Sequence, residues 1–235
     1  MKYYIDTEFM EGFHKPLLGK NRHFIDLISI GIVCEDGRKY YAVSKDFDLK
    51  AAWNEHDLKP DIDNGGMKKV YWLRDNVLVN LLNNKFYDYY KNIDTLSGLN
   101  NLIRHFGKSN KQIAEEIRNF VMMEKYDSGG QVILGKFFPN ELPNPEFYGY
   151  YADYDWVLFC SLFGRMIDLP TGFPMYCNDL KQTLDSTSKG IDGFTFEQSL
   201  YAIKNDPNYP KQTNEHNALA DARWNKQLHE FLIKL

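Results

Sequence analysis

The sequence predicts an α/β fold: one mixed sheet, an antiparallel meander of three strands followed by parallel strands, flanked by helices. Three observations predict it. The first 47 residues hold three strand-like runs joined by short breaks. The second run, FIDLISIGIVC at 24–34, is apolar on both faces and so belongs in the middle of a sheet. Beyond residue 110 strand-like and helix-like runs alternate, which is how parallel strands are connected. The order β-β-β-α-β-α-β-α-α fits one domain over residues 1–235.

The first strand spans 2–9, where Tyr3, Tyr4, Ile5 and Phe9 supply aromatic and β-branched bulk. MEGFHKPLLGKNRH, 10–23, reads as a long loop carrying His14, Lys15, Lys20, Arg22 and His23. Glu35-Asp36-Gly37 is hairpin chemistry between the second strand and a third at about 38–47. Residues 69–83 look helical, with Asn- and Gly-containing breaks around 61–66 and 92–101. Residues 84–107, rich in Asn, Tyr and Leu, read as an insertion. Ile113, Ile117, Phe120 and Val121 form the apolar stripe of a helix at 111–124. A strand at 146–152, a helix at about 155–167, a short strand at 174–177 and a helix near 179–186 follow. One short helix around 196–203 interrupts a polar region, and a long helix at about 216–234 closes the chain.

With 43% hydrophobic, 26% charged and 15% aromatic residues, the composition is that of a globular protein with rings to spare for stacking. A net charge of −4 excludes a polyanion binder held by bulk charge, so nucleic-acid contacts must be local or carried by metal ions. Cys34, Cys160 and Cys177 cannot all pair and sit among apolar neighbours, as buried thiols in a reducing compartment do. No apolar run approaches the length of a membrane span, and no basic segment leads into one, so a soluble cytoplasmic protein is expected, with no membrane partner.

The chemistry-bearing residues begin with Asp6 and Glu8. With a period of two they point to the same face of the first strand as Tyr4. Two carboxylates on a core strand repel each other and resist desolvation. A D-x-E pair alone also suits the solvated face of an edge strand, but the bulky neighbours favour burial, and buried paired carboxylates call for a hard cation. In ADYDW, 152–156, Asp153 and Asp155 are both candidate helix N-caps, and Asp155 directly precedes the apolar helix. In NEHNALADARW, 214–224, His216 starts the last helix and Asp221 follows five residues on, among alanines small enough for a close approach to the sheet.

Together these residues resemble the DEDDh exonucleases of the ribonuclease H-like fold. The likeness is closest to a small bacterial and phage branch of 3′–5′ exoribonucleases related to ribonuclease T and oligoribonuclease. YYIDTEF, IDLISIGIV, EDGRKYYAVS, WLRDNVL, ADYDW and HNALADAR carry it in order over nearly the whole chain. The resemblance implies that Asp6, Glu8, Asp155 and Asp221 hold two divalent cations, Mg²⁺ or Mn²⁺, with Asp6 bridging them and Glu8 and Asp221 completing one site. It implies that His216 is the general base and that Thr7, Phe9 and Met10 adjoin the terminal nucleotide. The loop lysines Lys15 and Lys20 are candidate phosphate contacts. The expected substrate is single-stranded RNA or an RNA 3′ end, and relatives are often homodimers. A DNA exonuclease, or an inactive nucleic-acid-binding or partner-docking domain of the same fold, are the alternatives.

Overall fold

In the computed structural model the protein is described over residues 1–14, 19–81, 95–122, 144–189 and 193–235. Strands β1 (Lys2–His14), β2 (Arg22–Cys34), β3 (Lys39–Val43), β6 (Glu146–Gly149) and β7 (Asn178–Asp179) form one sheet in the order β3-β2-β1-β6-β7. The β1, β2 and β3 pairings are antiparallel; β6 pairs with β1, and β7 with β6, in parallel. This is the mixed sheet the sequence predicts, and it is compatible with a ribonuclease H-like fold.

Alternation along β1 sends successive side chains to opposite layers. The Tyr3 hydroxyl donates to the Val121 carbonyl (3.0 Å) at the end of α3 (Asn110–Val121). The Tyr4 hydroxyl meets His229 Nδ1 (2.8 Å) on α7 (Ala218–Leu232). The Tyr3 side holds a core of Ile5, Ile30, Ile32, Phe147, Phe159 and their neighbours, to which α3 and α4 (Asp153–Phe163) contribute. On the other side α7 crosses β1 and β2. Beside it, α5 (Leu180–Lys189) and α6 (Phe196–Lys204) share an apolar cluster with α7.

Several elements differ from expectation. The expected loop 10–23 begins and ends in ladder, since β1 runs to His14 and pairs with β2 as far as His14↔Arg22. Glu11 and His23 (3.2 Å) and the edge-to-face rings of Phe13 and His23 join its exposed end, where there is no buried face to leave an alternating pattern. The range 69–83 is not one helix. Met67–Val70 is β5, paired with β4 (Asp57–Pro60) in a solvent-exposed hairpin. Helical geometry begins only at Leu73–Val77 as a wide turn and tightens at Leu78–Asn80. A short helix, α1 (Leu49–Asn54), capped by Asp48, was not foreseen. The expected insertion lies partly outside the described residues. Its remainder is helix α2 (Leu96–Phe106), which buries Leu99, Leu102 and Ile103 against the sheet residues Ile28 and Val43. The short strand expected at 174–177 lies at Asn178–Asp179 instead.

One glycine sets the distance between α7 and the sheet. Gly31 of β2 pairs with Asp6, and a Cβ there would lie 2.2 Å from the carbonyl oxygen of Ala218, the first residue of α7. The backbone of the helix thus rests on β2. We expect Gly31→Ala to destabilise the protein by about 1–3 kcal/mol, as overpacking against backbone does, read as a lower urea midpoint at unchanged slope. An unchanged midpoint contradicts the close approach.

Candidate active site

Four carboxylates gather at the end of the sheet where β1 and α7 meet α4. Asp6 and Glu8 project from β1 towards α7, and Asp221 lies in the first turn of α7. One oxygen from each of these three lies within 4.8 Å of the others. Asp155 lines the same cleft, a space of about 350 Å³ bounded also by Thr7, Phe9, Tyr150, Tyr151, Tyr154, Gln212, His216, Trp224 and Asn225. Among the described residues no lysine or arginine lines it.

Three of the acids sit at local devices. Between Glu8↔Ser29 and Phe9↔Leu27 the register slips by one residue on β2, a bulge beside Glu8. Asp155 is the third residue of α4 rather than the residue before it, because the helix begins at Asp153 behind Ala152. The Ala152 N–H donates to Asp179 Oδ2 (2.9 Å), which ties that turn to the neighbouring strand. Asp155 is buried, whereas Asp153 is exposed. The backbone N–H and hydroxyl of Thr7 both donate to Asp155 Oδ1, at 2.9 and 2.5 Å. Asp221 Oδ1 accepts from the Gln212 amide (2.6 Å), and its Oδ2 accepts from the backbone N–H of His216 (2.9 Å). His216 lies before α7, not in it: Asn217 is the N-cap, and His216 takes a left-handed backbone with φ 64°.

The electrostatic cost of this cluster is visible in its acidities. Burial, followed by the charges of Asp155, Glu8 and Asp221, raises the Asp6 carboxyl well above its ordinary range. Burial, then Asp221 and Asp155, pushes Glu8 up to about 8. Burial pushes Asp155 up to about 7 against the opposing hydrogen bonds of Thr7. Asp221 is raised by burial despite its bonds from Gln212 and His216. Clustered like charges with no lysine or arginine lining their cleft among the described residues are the setting that a hard divalent cation relieves, and an all-oxygen donor set suits Mg²⁺ or Mn²⁺.

The structure brings Asp6, Glu8, Asp155, Asp221, His216, Thr7 and Phe9 to one cleft. Met10 is buried in the core with Ile28 and Val43 and touches only the adjoining cleft. Lys20 is exposed beyond the far end of the β1–β2 ribbon, whose stretch from Glu8 to His14 spans roughly 20 Å. Lys15 lies outside the described residues. Sequence reasoning missed Gln212, which follows no recognisable spacing. It also missed Asn225, although that residue sits one helical turn after Asp221 and donates to the Ile5 carbonyl (2.8 Å). Trp72, whose ring meets that of His216, belongs to the WLRDNVL motif of the resemblance and to the helix expected at 69–83, but the sequence assigned it no place at the site.

A family model described as a 3′-5′ exoribonuclease Rv2179c-like domain matches residues 1–233. Two curated proteins, each named a 3′-5′ exoribonuclease, from two strains of Mycobacterium tuberculosis, are 28% identical over 234 residues. The alignment covers 99% of this chain and 92% of theirs.

The raised acidities set a pH dependence. Deprotonating Glu8 is penalised only in the folded state, so the penalty is absent below 4.5 and complete above about 8. In metal-free solution Glu8→Gln is expected to match the parent's melting temperature near pH 4.5 and to exceed it increasingly towards pH 8. Manganese ions should raise the parent's melting temperature more at pH 8 than at pH 5, since the ligands must be ionised. Equal shifts at both pH values, in calorimetry, count against a cation at this cluster.

Proposed function

Since the chain belongs to the Rv2179c-like family of 3′-5′ exoribonuclease domains, we propose that it hydrolyses the terminal phosphodiester of single-stranded RNA at this cleft in the DEDDh manner, with two divalent cations. The observation that carries the reading is the convergence of four carboxylates, three of them buried and Asp6 half-buried, and one histidine on a cleft whose lining among the described residues includes no lysine or arginine. Asp6, Glu8 and Asp221 would hold one cation, and Asp6 with Asp155 the other. When bound, the cations supply positive charge to the phosphoryl oxygens and acidify an attacking water.

The chain's own residues divide the remaining tasks. His216 lies on the cleft beside Asp221 and takes the proton of the attacking water as general base. Thr7 and Gln212 hold Asp155 and Asp221 in place, so the carboxylates need not reorganise during the reaction. Phe9 and Tyr154, edge to face at 5.6 Å, offer aromatic surface on which a terminal base can rest. A chain of net charge −4 then binds RNA through cations, ring faces and local contacts instead of a basic face.

The test uses 5′-labelled single-stranded RNA and DNA, with Mg²⁺ or with EDTA. RNA shortened stepwise from its 3′ end with Mg²⁺, and left whole with EDTA, is the expected result; internal cuts, or cleavage in EDTA, overturn the reading. Asp6→Ala is expected to lower kcat at least about 100-fold. Its metal-free melting temperature should not fall, because the change removes a repelled charge together with a ligand. Normal digestion by this variant rejects the assignment of the site.

A further inference from the structure

We propose that Trp72 is the positioning residue of His216, standing in for the hydrogen-bonding group that usually orients a catalytic histidine. The inference rests on the reading of His216 as general base. Such a base is normally fixed by a third group that bonds its second ring nitrogen. Among the described residues no hydrogen bond is made to the His216 imidazole; the bond from this residue to Asp221 uses its backbone N–H. What meets the ring is the indole of Trp72, with ring centroids 4.9 Å apart and planes at 75°, an edge-to-face contact.

The segment that carries Trp72 grips the histidine from two ends. At its start the indole lies against the imidazole. At its finish the Asn80 carbonyl accepts from the side-chain amide of Asn217 (2.9 Å), the residue after His216 and the N-cap of α7. Between them Leu73, Val77 and Leu78 are buried in the core with Ile28 and Val43, so the segment is fixed to the sheet. Within the segment the Asn76 side-chain amide donates to the Trp72 carbonyl (2.9 Å). Trp72 itself remains 46% exposed, so the indole is not held there by burial alone. Together with the left-handed backbone at His216, these contacts limit the rotamers open to a ring that has no hydrogen-bond partner among the described residues. The geometry makes the base a sterically aimed imidazole, which leaves both of its nitrogens available.

An exposed indole beside a nuclease cleft could instead rest against a base of the substrate, and a double-mutant cycle separates the two roles. Trp72→Ala, Trp72→Phe, His216→Ala and the double variant Trp72→Ala/His216→Ala are compared on an RNA oligonucleotide, the slow variants under single-turnover conditions with enzyme in excess. Trp72→Ala is expected to lower kcat roughly 3–10-fold, the weight of one edge-to-face contact, with KM little changed. Trp72→Phe should restore most of that loss. In the His216→Ala background, removal of Trp72 should cost nothing more. Independently of activity, the His216 ring protons in NMR spectra of the metal-free protein should move towards unstructured values in Trp72→Ala, while its Mn²⁺ affinity is unchanged. An equal loss in both backgrounds, or a raised KM at constant kcat, overturns the positioning role and leaves the base standing. Full activity of His216→Ala overturns the base itself, and the positioning role with it.

Discussion

The seating of α7 on the sheet is the contact on which everything else depends. Because β2 carries no side chain at Gly31, the backbone of Ala218 can lie against the strand directly across from Asp6. The helix is then pinned to β1 at successive turns. Asp221 joins the carboxylate cluster, Asn225 donates to the Ile5 carbonyl, and His229 meets the Tyr4 hydroxyl. Four helical residues advance about 6 Å and two strand residues about 6.6 Å. A polar stripe at i, i+4 and i+8 therefore stays in step with the side of β1 that carries Tyr4, Asp6 and Glu8. The register places Asp221 among its partners, and it also fixes His216, five residues upstream, through the Asp221 carboxylate.

That seating forces like charges together, and the fold tolerates them by concentrating its stability elsewhere. Apolar clusters lie on both sides of the sheet, with Ile5, Ile30, Ile32 and Phe159 fully buried on one and Ile28, Leu78, Leu99 and Leu102 on the other. Burying one such side chain is worth about 1.5–3 kcal/mol, so a dozen of them far outweigh a few carboxylates held away from their preferred ionisation. The penalty is confined to the cluster, where a bound cation would offset it. Stability is therefore most sensitive to charge at this one place, and what penalises the folded protein at neutral pH is the setting that a bound cation would relieve.

How much of this was legible in the sequence follows from which residues face a core. The period-two placement of Asp6 and Glu8 among Tyr3, Tyr4 and Ile5 showed a charged patch on a buried strand, and the sheet has that strand at its centre. The acid at 155 was located by the apolar run behind it, though the helix starts two residues earlier than the run suggests because Asp179 anchors the Ala152 N–H. The outlying elements were illegible for a physical reason. The ribbon beyond Met10 and the β4–β5 hairpin are largely solvated on both faces, so hydrophobic alternation has nothing to record there. The segment at 73–80 changes from a wide to a tight turn, so its apolar residues keep no single helical period.

The parallel half of the sheet explains why the site lies where it does. β6 pairs with β1 only from Lys2 to Tyr4 and then turns away into α4. From Ile5 onward the β6-facing edge of β1 has lost its neighbour, and buried backbone groups without partners are costly. Side chains from the two departing helices take over that ladder: Asn225 of α7 donates to the Ile5 carbonyl, and Asp155 of α4 accepts from the Thr7 N–H. An aspartate replaces a strand carbonyl as acceptor, so the repair of the sheet edge itself brings a negative charge to the side of Asp6. The same divergence that leaves the backbone unsatisfied opens the cleft in front of it. Asp155 is thus a structural acceptor on one oxygen, with its second oxygen engaged by no hydrogen bond among the described residues. That division keeps the carboxylate rigid: one oxygen holds the strand in place, and the other would be available to a cation in the proposed site.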